Sequence, residues 1–236
     1  MSSAPAPQTV MPTSSAWSRF RNRLRFGLAT QEVLDRLARV GLVIYPYYFV
    51  HEPVRPRADL ERPEGLEFRR IDPASVKLVT GLPERPRDEA KIRSYLATAT
   101  CIGAFEHGEL VAYTWYTQDH LKGLSGAEPI AALPPASAYI FDMFVCRRAR
   151  GHSVAALLRN HVHELLAAQD VRHAISVSLV FNKSTRKFKA KLGAVENELR
   201  VLLRIKPFPG LDVRLHRRPW VLSTPLAHVV RQEPEP

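Results

Sequence analysis

The stretch FDMFVCRRARGHSVAALL, residues 141–158, restricts what this chain can be more than any other. An apolar strand ends at Val145. A turn follows with Arg147, Arg148 and Arg150, and then Gly151 and the small residues Ser153, Ala155 and Ala156 open a helix. A helix start leaves its first N–H groups without intrahelical partners and carries the positive end of the helix dipole, so it suits a phosphate. Small residues let a ligand approach the backbone closely, and neighbouring arginines suit a pyrophosphate. The turn is not a P-loop, because G-x-x-x-x-G-K-S/T is absent, and not a Rossmann fingerprint, because G-x-G-x-x-G is absent. The competing reading of the three arginines is a solvated basic turn.

Charge is concentrated in the same region. The chain has 236 residues and a formal net charge of +11. Residues 140–206 hold thirteen Lys/Arg against five Asp/Glu, whereas residues 1–65 hold nine against six. A local basic block points to an anionic ligand or partner. A composition of 45% hydrophobic and 24% charged residues excludes global disorder. No apolar run reaches the roughly 18–20 residues that span a bilayer. Two cysteines, Cys101 and Cys146, cannot supply a disulfide framework or a four-thiolate zinc site. Residues 1–16 lack the basic start and apolar core of a secretory signal, so a cytoplasmic location is expected.

The pattern divides the chain into a disordered lead (1–14), an amphipathic extension and linker (15–65), a regular domain (66–206) and a tail (207–236) that wraps the surface. Trp17, Phe20, Leu24, Leu28, Leu34 and Leu37 recur at helical steps over Ser15 to about Val40, interleaved with Arg19, Arg21, Arg23 and Arg25. That helix either packs on its own domain or meets an anionic membrane or carrier protein. Residues 41–50 read as a buried strand interrupted at Pro46, or as a seam between extension and core. From Leu66 onward, strands are expected at 66–71, 101–105, 110–116, 139–145 and 174–180, with 194–205 a final strand or hairpin. Helices are expected after the Asp72-Pro73 start, at 87–99, at 152–169 and at 184–192. This mixture, with an early hairpin and a late strand-helix-strand crossover, indicates an α/β layered domain.

With its elements in that order, the chain resembles the GNAT superfamily of CoA-dependent N-acetyltransferases. That family's R/Q-x-x-G-x-G/A signature between strand and helix corresponds to Arg148-Ala149-Arg150-Gly151-His152-Ser153, with Ala155 at a further small-residue site. A second family feature, N-x-x-A/S followed by a helix ending Y-x-K-L-G-F, corresponds to Asn182 through Ala194. The resemblance covers about residues 66–206. It implies a largely antiparallel, twisted sheet flanked by helices and splayed at the cofactor site, with acetyl-CoA or another acyl-CoA as cofactor. By the same resemblance, Phe144 and Val145 lie along the pantetheine arm. The amides of Arg150, Gly151, His152, Ser153, Val154 and Ala155 hold the pyrophosphate beside Arg148. Asn182 bonds the cofactor, and Lys183, Arg186, Lys187 and Lys189 are candidates to neutralise its 3′-phosphate, each having a solvated helix residue as its competing reading. Ser153 stands where the family usually has Gly or Ala. Many members place a tyrosine seven residues after the asparagine, to protonate the departing thiolate, and here Lys189 occupies that place.

The implied reaction is direct acyl transfer to a neutral amine. It requires orientation of two substrates, removal of a proton and polarisation of the carbonyl. Asp142, Asp119 and His120 are candidates for the base, Asp142 having as its competing reading an ion pair with a nearby arginine. Trp115, Tyr116 and Tyr139 either line the acceptor pocket or pack in the core. No metal site is expected, because His161 and His163 are two apart on a helix and do not share a face. The implied acceptor is a small-molecule amine or amino sugar. Transfer of a longer acyl chain near a membrane or carrier protein is one alternative, and a non-catalytic CoA-binding or nucleic-acid-binding module is another. Nucleic acid is the least expected partner, since no recognised motif is present. A homodimer is compatible with the sequence.

Overall fold

The computed structural model describes residues 28–122, 129–205, 208 and 210–217. The expected lead, the first half of the amphipathic helix, including Trp17, Phe20 and Leu24, and the chain after residue 217 lie outside the described residues. Helix α1 (Leu28–Arg39) precedes strand β1 (Leu42–Pro53) and strand β2 (Leu66–Ile71). A 3₁₀ turn (Pro73–Ser75) leads into α2 (Val76–Thr80), and α3 (Glu89–Leu96) follows. The 3₁₀ turn and α3 are each capped as their sequences indicate. Asp72 accepts a hydrogen bond from the Ser75 N–H at 2.8 Å with Pro73 in the first turn, and Asp88 accepts from Lys91 N–H at 2.8 Å.

Next come β3 (Thr100–Glu106), β4 (Glu109–Thr117), the small hairpin of β5 (His120–Lys122) and β6 (Pro129–Ala132), and β7 (Ser137–Val145). Helix α4 (Val154–Ala167), β8 (His173–Leu179), α5 (Lys183–Lys191), β9 (Val195–Ile205) and β10 (Leu211–Arg217) complete the order. The main sheet has eight strands in the order β10-β9-β1-β8-β7-β4-β3-β2. Every neighbouring pair is antiparallel except β7 and β8. Leu157, Leu158, Val162 and Leu166 recur at helical spacing and pack α4 against Ala138, Ile140 and Ala174 on one face. Val76, Val79, Ile92 and Tyr95 cover Tyr113 and Trp115 on the other.

Two segments differ from the sequence expectation. Residues 42–53 form one continuous strand in the middle of the sheet, between β8 and β9, and neither break at Pro46 nor act as a seam. Proline is tolerated there because the β1–β8 ladder stops at Tyr47↔Leu179, so no ladder bond needs a Pro46 N–H. Its carbonyl still accepts from Val180 N–H at 3.0 Å. Within the expected surface tail, residues 211–217 add strand β10 to the sheet edge, where Asp212 meets Arg200 at 2.9 Å and accepts from the Tyr47 hydroxyl. Among the described residues no helix is long and apolar enough to cross a membrane, and no three His, Cys, Asp or Glu side chains gather as a metal site.

Candidate functional site

The parallel pair at the centre of the sheet opens into a wedge. β7 and β8 are paired only over Ser137↔His173, Ala138↔Ala174 and Tyr139↔Ile175, although β7 runs on to Val145 and β8 to Leu179. Beyond the last pair, among the described residues, β7 has a strand partner only in β4 and β8 only in β1. Each strand therefore turns one edge toward the gap, where backbone groups need partners. Within the gap β7 bulges. Tyr113 faces Phe144 and Trp115 faces Phe141, so Asp142 and Met143 together oppose Thr114, and Asp142 takes a left-handed φ of +50°.

The start of α4 lies just past the end of β7. Its N-cap, Ser153, is left-handed at φ +59° and makes no side-chain capping bond, so its hydroxyl leaves the first-turn N–H groups open. Gly151 sits at φ +86°, and a Cβ added there would have open space around it. His152 and Ser153 are exposed, Ala155 is half-buried, and Val154 turns into the core. The basic turn is less free than its sequence indicates. Both Glu84 carboxylate oxygens accept from Arg147 N–H at 3.0 Å, and Arg148 pairs with Glu109 at 2.5 Å. Arg150 donates through Nε to the Val145 carbonyl at 3.0 Å. The Arg148–Glu109 pair is solvent-exposed, so a pyrophosphate can displace it cheaply. An uncapped helix start with open space at Gly151 fits such a group.

The second flank is α5. Asn182 caps it, accepting from Thr185 N–H at 3.1 Å, so its carbonyl oxygen is committed to the helix. Arg186 is committed too, to Glu196 at 2.6 and 2.9 Å and to the Val180 carbonyl at 3.0 Å. Lys183 and Lys187 stay exposed on the rim of a pocket of about 540 Å³ that also includes Val50, Ser178, Lys189 and Val195.

Lys189 is buried, and its ammonium donates to Ser176 Oγ and to the Val177 carbonyl, both at 2.8 Å. Both partners lie on β8 just past the point where it parts from β7. Burial, and then the nearby Arg159 charge, lower the Lys189 pKa to about 7 against the opposing pull of Glu52 and Glu196. Between that value and the ordinary 10.5, the unfolded chain binds a proton that the folded chain does not, so stability rises with pH across the window. Thermal melts of the wild type and Lys189→Met from pH 7 to 10 are expected to diverge in that sense. Parallel curves would restore an ordinary lysine.

Asp142 is in the wedge but is not free. Its Oδ1 accepts from Arg85 at 2.6 Å and from Arg87 at 2.5 Å, both from the loop before α3. The ion-pair reading of Asp142 is the one the geometry shows, its Oδ1 being occupied by two guanidiniums. Asp119 and His120 lie at the start of β5, after Thr117, whose β4 position pairs with Tyr139 at the closed end of the wedge. Trp115, Tyr116 and Tyr139 do not make one pocket. Trp115 packs with Tyr95 and Phe141 under α3, Tyr116 faces the α4 side, and Tyr139 joins Tyr47, Phe49 and Leu121. Phe144 lies over Tyr113, its ring also beneath Arg85. Burial pushes both cysteine thiols up, which leaves Cys146 a poor nucleophile. His161 stacks on Phe68, whereas His163 turns inward to Glu52.

Several site residues escape a reading of the sequence. Arg85 and Arg87 reach Asp142 from 57 and 55 residues away, with no local signal. Ser176 does carry one, because AISVSLV places two serines at alternate positions of an otherwise apolar strand.

A largely antiparallel sheet that parts, among the described residues, at its one parallel pair and is flanked by helices is the fold of an acyl-CoA-dependent transferase. Residues 71–194, just over half of the sequence, match the acetyltransferase (GNAT) family, and the chain belongs to it, a family of acyl-CoA-dependent N-acetyltransferases. A GCN5-related N-acetyltransferase from Sphaerobacter thermophilus superposes with a TM-score of 0.51 at 17% identity, over 78% of this chain and 58% of that one. A tandem GNAT protein from the clavulanic acid biosynthesis pathway, solved without acetyl-CoA, gives 0.50 at 17%, over 77% and 58%. A functionally unknown conserved protein from Staphylococcus epidermidis gives 0.51 at 10%, over 74% and 67%. At these identities the likeness is one of fold, and the chain spans under three-fifths of the length of the first two. Comparison with curated protein sequences returns no match.

Proposed function

We propose that this protein transfers an acyl group, most simply acetyl, from acyl-CoA to a primary amine of a small molecule or amino sugar by direct attack. The observation that carries this reading is the Lys189 ammonium, held on β8 where the sheet parts. The cofactor supplies the activated acyl thioester. The amides from Gly151 to Ala155 bind its pyrophosphate, the Arg150 N–H being taken by the Arg147 carbonyl; Arg148 adds charge, and Lys183 and Lys187 meet the 3′-phosphate. The gap-facing edge of β7 at Val145, whose carbonyl already accepts from Arg150, orients the pantetheine arm beside Phe144. Lys189, standing where many family members have tyrosine, donates the proton to the departing thiolate. Asp142 anchors the bulge through Arg85 and Arg87, which leaves Asp119 and His120 as the groups for proton removal from the amine.

Calorimetry with acetyl-CoA, followed by thiol release across a panel of small amines and amino sugars, tests the reading. Binding with turnover of at least one amine is expected. No binding at millimolar cofactor overturns it, and binding with silence across the panel favours a CoA-binding module. Preference for long-chain acyl-CoA in the same assay would select the longer-chain reading.

A further inference from the structure

Glu52 is the deepest charged group in the molecule's described part, with no side-chain exposure, and it comes from β1, outside the residues that match the family. Its side chain meets α4 directly. His163 Nε2 donates to its Oε1 at 3.0 Å, and Arg159 Nε makes ion-pair contact with the same oxygen at 3.4 Å. Arg159 and His163 are themselves buried. They lie four apart on α4, so both face β1 together. Glu52 pairs with Ala174 and Val50 with Ser176 along the β1–β8 ladder, so Glu52 sits one step, on the same face, from the serine that holds Lys189.

Buried charges are costly unless paired and serve better as position-setting devices than as sources of stability. We propose that Glu52, Arg159 and His163 form a buried brace that positions Lys189 and sets the electrostatic field at its amine. Glu52 and Arg159 are thus positioning residues for the transfer. The inference rests on the reading of Lys189 as proton donor, but its first test does not.

Two opposite charges act on one amine in this arrangement. Burial alone would raise the Glu52 pKa; the Arg159 charge and the His163 hydrogen bond outweigh burial and hold it below the usual carboxylate range. The resulting carboxylate favours the ammonium form of Lys189, as does Glu196 from β9, whereas Arg159 opposes it. From β8, Ser176 and the Val177 carbonyl contribute only uncharged hydrogen bonds.

The experiment follows the ε-carbon resonance of Lys189 against pH in the full chain without cofactor. Wild type is expected to titrate well below the ordinary lysine range. Glu52→Gln should move the midpoint down, and Arg159→Met should move it up, each by about one unit, the scale on which a neighbouring charge acts. The alkaline limb of kcat should move in the same two directions, with KM for acyl-CoA within a few-fold of wild type. If either variant fails to fold, Glu52→Asp and Arg159→Lys, which keep the charges, should hold the wild-type midpoint. An ordinary lysine titration in the wild type, or shifts of the same sign in the two neutralising variants, overturns the proposal. Opposite shifts in resonance with no acyl transfer by any variant would leave the brace standing and remove the enzymatic reading.

Discussion

Gly151→Glu is expected to weaken acetyl-CoA binding at least about 100-fold in calorimetry, while Gly151→Ala loses no more than a few-fold. The two substitutions share one cost and differ in another. At φ +86° any L-residue is strained by roughly 1–2 kcal/mol, but that strain is present with and without cofactor, so it lowers the melting temperature of both variants and cancels from their affinities. A bare Cβ blocks nothing, since no atom beyond its two chain neighbours lies within 4 Å of it. The glutamate carboxylate instead enters the space in front of the uncapped α4 start, where the proposed pyrophosphate would sit. Repulsion of like charges there is worth several kcal/mol, and 100-fold corresponds to about 2.7 kcal/mol. Equal affinities in the two variants would remove the phosphate from this helix start.

The reach of the sequence depends on how local each device is. The α4 junction is legible because strand, turn and helix start are contiguous in residues 141–158, and the structure keeps that order. The β7–β8 wedge is legible only through resemblance, since no residue pattern records where a parallel ladder stops. Pro46 misleads, because the cost of proline in a sheet depends on whether a partner strand still needs its N–H, and here the β8 ladder has ended. Asp142 is ambiguous for a related reason: its partners come from another loop, and the sequence holds too many arginines to choose Arg85 and Arg87. Trp115 and Tyr116 are a different case. The period of two along a strand already sends adjacent residues to opposite faces, so a shared pocket was excluded by the pattern itself. Asn182 shows two uses of one residue, a motif position for a cofactor and an N-cap, and the side-chain oxygen is taken by the cap.

Lys189→Met is expected to lower kcat on the order of 100-fold or more, the range for loss of a positioned general acid, with acyl-CoA affinity within a few-fold of wild type. Methionine is unbranched and adaptable, so it can follow the path of the lysine stem into the buried site. The substitution leaves the Ser176 hydroxyl and the Val177 carbonyl without their donor, a cost of about 1–3 kcal/mol for a buried acceptor. It also removes an amine whose charge burial disfavours, so the two effects oppose and the fold should persist. The pH profile separates catalysis from packing. A donor must be protonated to act, and with a pKa of about 7 the lysine loses its proton as pH rises through neutrality. Wild-type kcat should therefore fall on the alkaline side, and that limb should be absent from the residual activity of Lys189→Met. If thiol release by the variant keeps the same alkaline limb at near wild-type rate, the proton reaches the thiolate by another route, and Lys189 serves only to tie α5 to β8.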